Sequence, residues 1–212
     1  MFKKYILFSQ INISPNHYDE VIETWHQIFD SDKHKYILYI NDEYNNLLMI
    51  TTSEKSSDVF DEINSSGIIE FEKNICEHMY SDWRHQILIH EDSIIPFDIS
   101  SPLSPFLQLR HIEVPLRVYP QYLAWRKGTI FEHVKQQDEI DYFLSYHSVL
   151  STEPGVMFLS GFSCAPDDYL NLFNNEKYKK IVQEAGHKYI SGGKKGLYTS
   201  LYRLSTNQNM RR

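Results

Sequence analysis

Cysteine is nearly missing from this chain. Its two copies, Cys76 and Cys164, stand apart with no C-x-x-C spacing, which excludes a disulfide framework and a thiolate metal site and leaves them as buried apolar fillers. Long apolar runs are missing as well. No window approaches the roughly 18 apolar residues that cross a bilayer, and the apolar stretch after Met1-Phe-Lys-Lys4 is broken by Gln10 and Asn12, unlike the core of a signal peptide. The expectation is a cytoplasmic protein with no membrane partner. Basic charge is also short, with 21 Lys and Arg against 28 Asp and Glu, a formal net charge of −7. The basic pairs Lys3-Lys4, Lys179-Lys180, Lys194-Lys195 and Arg211-Arg212 are scattered rather than gathered into a stripe, which argues against a nucleic-acid partner.

Several catalytic signatures are lacking too. There is no G-x-S-x-G elbow and no Cys-His nucleophile pairing. His17, His26, His85 and His90 form no H-x-x-x-H or H-x-H spacing beside carboxylates, so a zinc site is poorly supported. Gly192-Gly-Lys-Lys-Gly196 lacks the order of a phosphate loop and reads as a plain loop, and His187 reads as a helix-end histidine whose imidazolium would favour the dipole.

What is present is apolar and aromatic material, 42% hydrophobic and 14% aromatic over 212 residues, sufficient for a globular core. The N-terminal half opens with a strand over Tyr5–Ile13 and a helix after Pro15, lined by Val21, Ile22, Trp25, Ile28 and Phe29. Two strands, Tyr36–Ile40 and Leu47–Thr52, flank the polar turn Asn41–Asn46. A helix follows from an N-cap at Ser56 or Ser57, with Val59, Phe60 and Ile63 inward. A helical segment over Ile69–Met79 and a strand over Gln86–His90 complete the half.

The second half repeats this order. Pro15 pairs with Pro120 at an offset of 105, Met49 with Met157 at 108, and Asp58–Asn64 with Asp168–Asn174 at 110, where Ile87 also aligns with Leu197. A drift of five residues fits loop insertions between duplicated units. The predicted domains are an N-terminal half over 1–94, a Pro-rich linker over 95–106 and a C-terminal half over 107–212. Each half reads β-α-β-β-α-β, so the fold class is α+β, two tandem ferredoxin-like halves. Sheet positions such as Phe158 and Phe162 are apolar on the face away from the helices and require a partner, so two such sheets make an α+β barrel, within the chain or in a homo-oligomer.

The run from Pro120 to Ser163 carries the candidate chemistry. Leu123, Ala124, Ile130, Phe131 and Val134 form one apolar stripe of a helix that bears His133. A strand follows in which Tyr142, Leu144, Tyr146 and Ser148 face one way and Phe143, Ser145, His147 and Val149 the other. If the second of these faces lines the barrel, His147 sits in a mainly apolar cavity, where burial favours its neutral form and suits it to proton transfer.

Tandem halves of this length resemble the dimeric α+β barrel superfamily, which includes antibiotic-biosynthesis-type monooxygenases, haem-degrading monooxygenases, and the chlorite dismutase and coproheme decarboxylase group. In the last group the iron ligand is a histidine near the end of the first helix of the second half, often preceded by Glu and followed by a strand of the form G-V/W-x-F. Ile130-Phe-Glu-His133 and Gly155-Val-Met-Phe158 occupy those places. The resemblance implies haem held through iron by His133, with His147, or Ser145 and Tyr146 beside it, at the distal position. Phe131, Phe143, Phe158, Leu159 and Phe162 would wall the pocket, and Arg126, Arg110, Lys127, Tyr142 and Tyr146 are candidates to hold the propionates. Chlorite dismutases place Arg at the distal position, and a distal histidine is more like aldoxime dehydratases, lyases on the same superfold. Three readings stay open. One is a haem-dependent oxidoreductase or lyase acting on a small molecule. Another is a cofactor-independent monooxygenase in which His147 with Tyr142 or Tyr146 moves protons on a phenolic substrate. The third is a non-catalytic barrel-forming assembly module.

Overall fold

The computed structural model describes residues 3–29, 35–98, 102–192 and 196–205. The basic pairs Lys194-Lys195 and Arg211-Arg212, the middle of the Gly192–Gly196 loop and part of the Pro-rich segment lie outside them. The first repeat comprises β1 (Tyr5–Asn12), α1 (Tyr18–Phe29), β2 (Tyr36–Asn41), β3 (Asn46–Ser53), α2 (Ser56–Ile63), α3 (Ser66–Ile75) and β4 (Arg84–Ile95). The second comprises β5 (Phe106–Ile112), α4 (Tyr119–Gly128), α5 (Ile130–Val134), β6 (Ile140–Leu150), β7 (Val156–Phe162), α6 (Pro166–Leu172), α7 (Glu176–Lys188) and β8 (Leu197–Leu204). Hydrogen-bonded neighbours follow the order β1-β3-β2-β8-β5-β7-β6-β4 and return to β1, a closed antiparallel barrel of eight strands built from two β-α-β-β-α-β units.

The aligned residues of the two halves fall on equivalent elements. Met49 and Met157 lie in β3 and β7, Ile87 and Leu197 in β4 and β8, and Pro15 and Pro120 at the entries of α1 and α4. By compactness the chain divides into one unit of Met1–His90, Val149–Ser151 and Leu201–Arg212, and another of Glu91–Ser148 and Thr152–Ser200. Strands β4 and β8 each pass through both.

In the first unit Val21, Ile22, Trp25 and Phe29 of α1 and Ile68, Phe71 and Ile75 of α3 pack on Leu38, Ile40, Leu47 and Met49. These recur at helical spacing in the helices and at alternate positions along the strands, so one helix stripe meets one sheet face. The intervening Ile37, Tyr39, Leu48 and Ile50 are buried too. Both sheet faces are therefore dry, and the strands read as continuous apolar runs. Ser65 caps α3 by accepting from the Ile68 N–H, whereas the cap position of α2 is Lys55, not Ser56 or Ser57, and makes no side-chain bond. Phe60, expected inward, is 49% exposed, because Val59 and Glu62 take the buried side of this short helix. Cys76 is exposed and Cys164 half-buried, so neither is the buried filler the composition predicts.

The second unit departs from the sequence reading in two places that matter for function. The expected single helix over 120–134 breaks at Thr129 (φ −126, ψ −84) into α4 and α5. Its buried face on α4 is Tyr122 and Arg126, four residues apart, while Leu123 is half-buried and Ala124 exposed. Phe158 and Phe162, expected on the sheet face away from the helices, instead meet Phe131 of α5 and Tyr169 of α6. Met157, Leu159 and Gly161 alternate with them and take the opposite face.

Candidate active site

Alternation along β6 places Phe143, Ser145 and His147 on the side that meets α4, with Tyr142 and Tyr146 on the reverse. Arg126 projects from α4 onto this side and is 1% exposed. Its Nη1 donates to Glu91 Oε2 at 3.1 Å and Ser145 Oγ at 3.2 Å, and its Nη2 to Asp92 Oδ2 at 2.7 Å. Phe131, Tyr122 and Phe158 surround the guanidinium with ring centroids at 5.0, 5.7 and 5.9 Å. A cation here would be costly alone, and the two carboxylates of β4 compensate it. Burial opposes the charge of Arg126, but Glu91, Tyr122 and Asp92 outweigh it and raise its pKa.

Tyr119 donates to the other oxygen of Glu91. Burial first, and then that bond, push its hydroxyl above the usual phenol range. The His147 ring meets Tyr119 edge-on at 5.0 Å, and its Nδ1 donates to the Ser148 carbonyl at 3.0 Å.

His133 stands apart from this group. Its Nε2 donates to the carbonyl of Leu172 at 3.0 Å, at the end of α6, and its ring packs on Tyr178 and Phe173 at 4.9 and 5.8 Å. Burial lowers its pKa and keeps the imidazole neutral. Of the residues predicted for one pocket, the structure gathers Arg126, Ser145, Phe131, Phe143 and Phe158 into one cluster, with His147 reached through Tyr119. His133 lies in a second, which Phe162 joins by stacking on Tyr169 at 3.8 Å, itself 5.3 Å from Phe173 beside His133. Leu159 and Tyr146 are buried on the reverse face, and Lys127 is exposed.

The haem that the sequence resemblance implies does not fit this packing. The layer between α4–α5 and β6–β7 is filled by the Arg126 guanidinium and by Phe131, Phe143 and Phe158, at 5%, 2% and 1% exposed. The Nε2 of the would-be axial histidine is turned to a backbone carbonyl instead of toward that layer. Among the described residues no group of three His, Cys, Asp or Glu is placed to hold a metal ion.

A cleft of about 440 Å³ opens in the same unit between β5, β8, α5 and α7. Ile112, Ile130, Val182, Ala185, Ile190 and Leu197 make apolar walls, Arg110 with Tyr178 supplies one polar corner, and Lys179, Gln183 and Thr199 add further polar lining. Arg110 Nη1 donates to the Tyr178 hydroxyl and Nη2 to Gln108 Oε1 at 3.2 Å. The guanidinium lies over Phe173 and Tyr178 at 4.9 and 5.4 Å. Tyr178 was not among the residues predicted from sequence, although Tyr178, Val182 and Ala185 repeat at the helical spacing that marks the inner face of α7. His111, also missed, follows Arg110 on the reverse face of β5. It is 2% exposed and stacks on Tyr198 at 4.9 Å, and burial lowers its pKa.

Neither a protein-family model nor a curated protein sequence matches the chain. Solved structures match it in fold. A proposed monooxygenase from Fusobacterium nucleatum superposes with a TM-score of 0.69 at 8% identity, covering 97% of this chain and 94% of that one. An anthrone oxidase-like protein gives 0.68 at 10% identity, with 95% and 91% covered. A chlorite dismutase variant from Candidatus Nitrospira defluvii gives 0.61 at 12% identity, with 97% and 92% covered. At such identities the likeness is one of architecture. The chain shares with these structures a fold of two tandem ferredoxin-like halves, and no helix among the described residues is long and apolar enough to cross a membrane.

Proposed function

We propose that this chain is an oxidoreductase of the antibiotic-biosynthesis monooxygenase type, which oxygenates a small hydroxylated aromatic molecule with dioxygen and without haem. The observation that carries the reading is the cleft beneath α7. Its volume of about 440 Å³ lies in the range of roughly 300–1,000 Å³ common for small-molecule sites, and its largely apolar lining with polar groups led by Arg110 and Tyr178 suits a flat apolar body carrying oxygen. The packed layer around Arg126 supports the haem-free form of the reaction. The architecture shared with a proposed monooxygenase and an anthrone oxidase-like protein supports the reaction class.

In this scheme the substrate hydroxyl ionises at the Arg110–Tyr178 corner, where a cation and a phenol donor stabilise the developing oxyanion. Ionisation makes the ring electron-rich enough to pass electrons directly to dioxygen. One oxygen atom forms a new carbonyl at a ring carbon that loses its hydrogen, and the other leaves as water. The balance is hydroxyarene plus dioxygen to quinone plus water. The apolar walls exclude bulk water from the reacting ring.

An oxygen electrode tests this with the purified full-length chain and a panel of anthrone and naphthol substrates. Oxygen uptake above the spontaneous rate, matched mole for mole by quinone and lost in Arg110→Met, is the expected result. A panel oxidised no faster than without protein would overturn it.

A further inference from the structure

Among the described arginines that are at least half-buried, Arg126 has two carboxylate partners and Arg203 has Asp42, but Arg110 pairs with no described carboxylate. Its two terminal nitrogens reach only a phenol and an amide, Tyr178 and Gln108, although it is half-buried under the aromatic rings of Phe173 and Tyr178. None of the residues lining the cleft it faces is acidic. Among the described lining residues the other cation, Lys179, is paired with Glu176 at 3.3 Å. Removing a guanidinium from water without a counter-ion is unfavourable, and in a chain of formal charge −7 carboxylates are not scarce. Among the described residues the Arg110 guanidinium thus has no carboxylate counter-ion.

We infer that the cleft beneath α7 is an oxyanion site, which binds a flat aromatic body bearing a carboxylate or an ionised hydroxyl, with Arg110 as its counter-ion. The guanidinium lies over Phe173 and Tyr178, and a ligand oxyanion would accept from those of its N–H groups that Tyr178 and Gln108 do not take. Tyr178 accepts from Arg110 and keeps its own O–H to donate to the same oxyanion. Ile130, Val182 and Ile190 take the ring. The site rests on the proposed function only in being the place where substrate would sit, and it is tested without turnover.

The probe is 1-naphthoate, which shares the oxyanion and the flat body but has no hydroxyl to oxidise. Its neutral analogue is 1-naphthalenemethanol. Titration calorimetry on the full-length protein is expected to show naphthoate binding at least about tenfold more tightly than the alcohol, the factor expected of one charge-assisted contact. Arg110→Met should remove that preference, and Tyr178→Phe, which keeps the ring, should weaken naphthoate binding by less. Equal binding of the two probes to the unmodified protein, or naphthoate binding unchanged in a folded Arg110→Met, overturns the inference. Selectivity in the unmodified chain decides the matter even where the methionine variant does not fold. Naphthoate selectivity with no oxygen uptake on hydroxyarenes would sink the oxygenase reading and leave the site standing, and the converse would sink the site alone.

Discussion

Arg126 and Glu91 form an ion pair at 3.1 Å in which the arginine is 1% and the glutamate 18% exposed. The two lie 35 residues apart in sequence and tie α4 to β4 across the layer between helix and sheet. Replacing Arg126 by Met would leave the carboxylates of Glu91 and Asp92 without their cation. Removing one partner of a buried pair costs about 3–5 kcal/mol, and partial exposure of both carboxylates places the expected loss near 3 kcal/mol. Urea denaturation at neutral pH measures it, and a loss under about 1 kcal/mol would mean the cluster is solvated rather than structural.

Haem uptake follows from the same layer. Hemin added to the purified protein is expected to give no saturable shift of its Soret band, because Arg126, Phe131 and Phe158 occupy the space between α5 and β7. A one-to-one spectral complex abolished by His133→Ala would show that the layer opens and that His133 leaves the Leu172 carbonyl to bind iron.

Three histidines set a pH dependence. Burial lowers the pKa of His85, His111 and His133 from the usual 6.5. Each is neutral in the folded chain and takes up a proton more readily once unfolded, so its contribution is fully present above the unfolded pKa and is lost as pH falls toward the folded one. The free energy of unfolding is expected to decline from near neutrality into the mildly acidic range. His111→Phe should flatten the curve there, and identical pH profiles for variant and parent would exclude His111 as a contributor.

Gly161 faces Tyr142 across the β6–β7 pairing. A Cβ built on Gly161 would overlap the Tyr142 ring, which fills the place of the missing side chain. Gly161→Ala is expected to cost about 1–3 kcal/mol through overpacking, read as a lower midpoint in thermal unfolding. Tyr142→Leu combined with it should recover part of the loss, and additive losses would show that the two positions do not share this space.

The duplicated β-α-β-β-α-β order could be read before any coordinates because its signals are local. Short apolar runs at Leu47–Thr52 and Val156–Phe162, the helical spacing of Val21, Ile22, Trp25 and Phe29, and prolines at helix entries each operate within a few residues. The candidate site was less accessible. Phe158 was legible as a sheet residue, but not which face it takes. Arg126 stood out only as a charge, and Tyr178 hid inside the apolar stripe of α7. Local pattern says that a residue is inward, and it does not say what it meets there.

By itself the sequence determined which segments are helix or strand and that they occur twice, since backbone propensity and apolar period act at short range. Tertiary structure alone decided that the helix bearing His133 breaks at Thr129, that Arg126 fills the layer where the resemblance places haem, and that Arg110 meets Tyr178 in a cleft. The last two depend on contacts between residues 35 and 68 positions apart. Their partners are chosen by how the whole sheet closes and by the cost of leaving a buried charge or cavity unfilled.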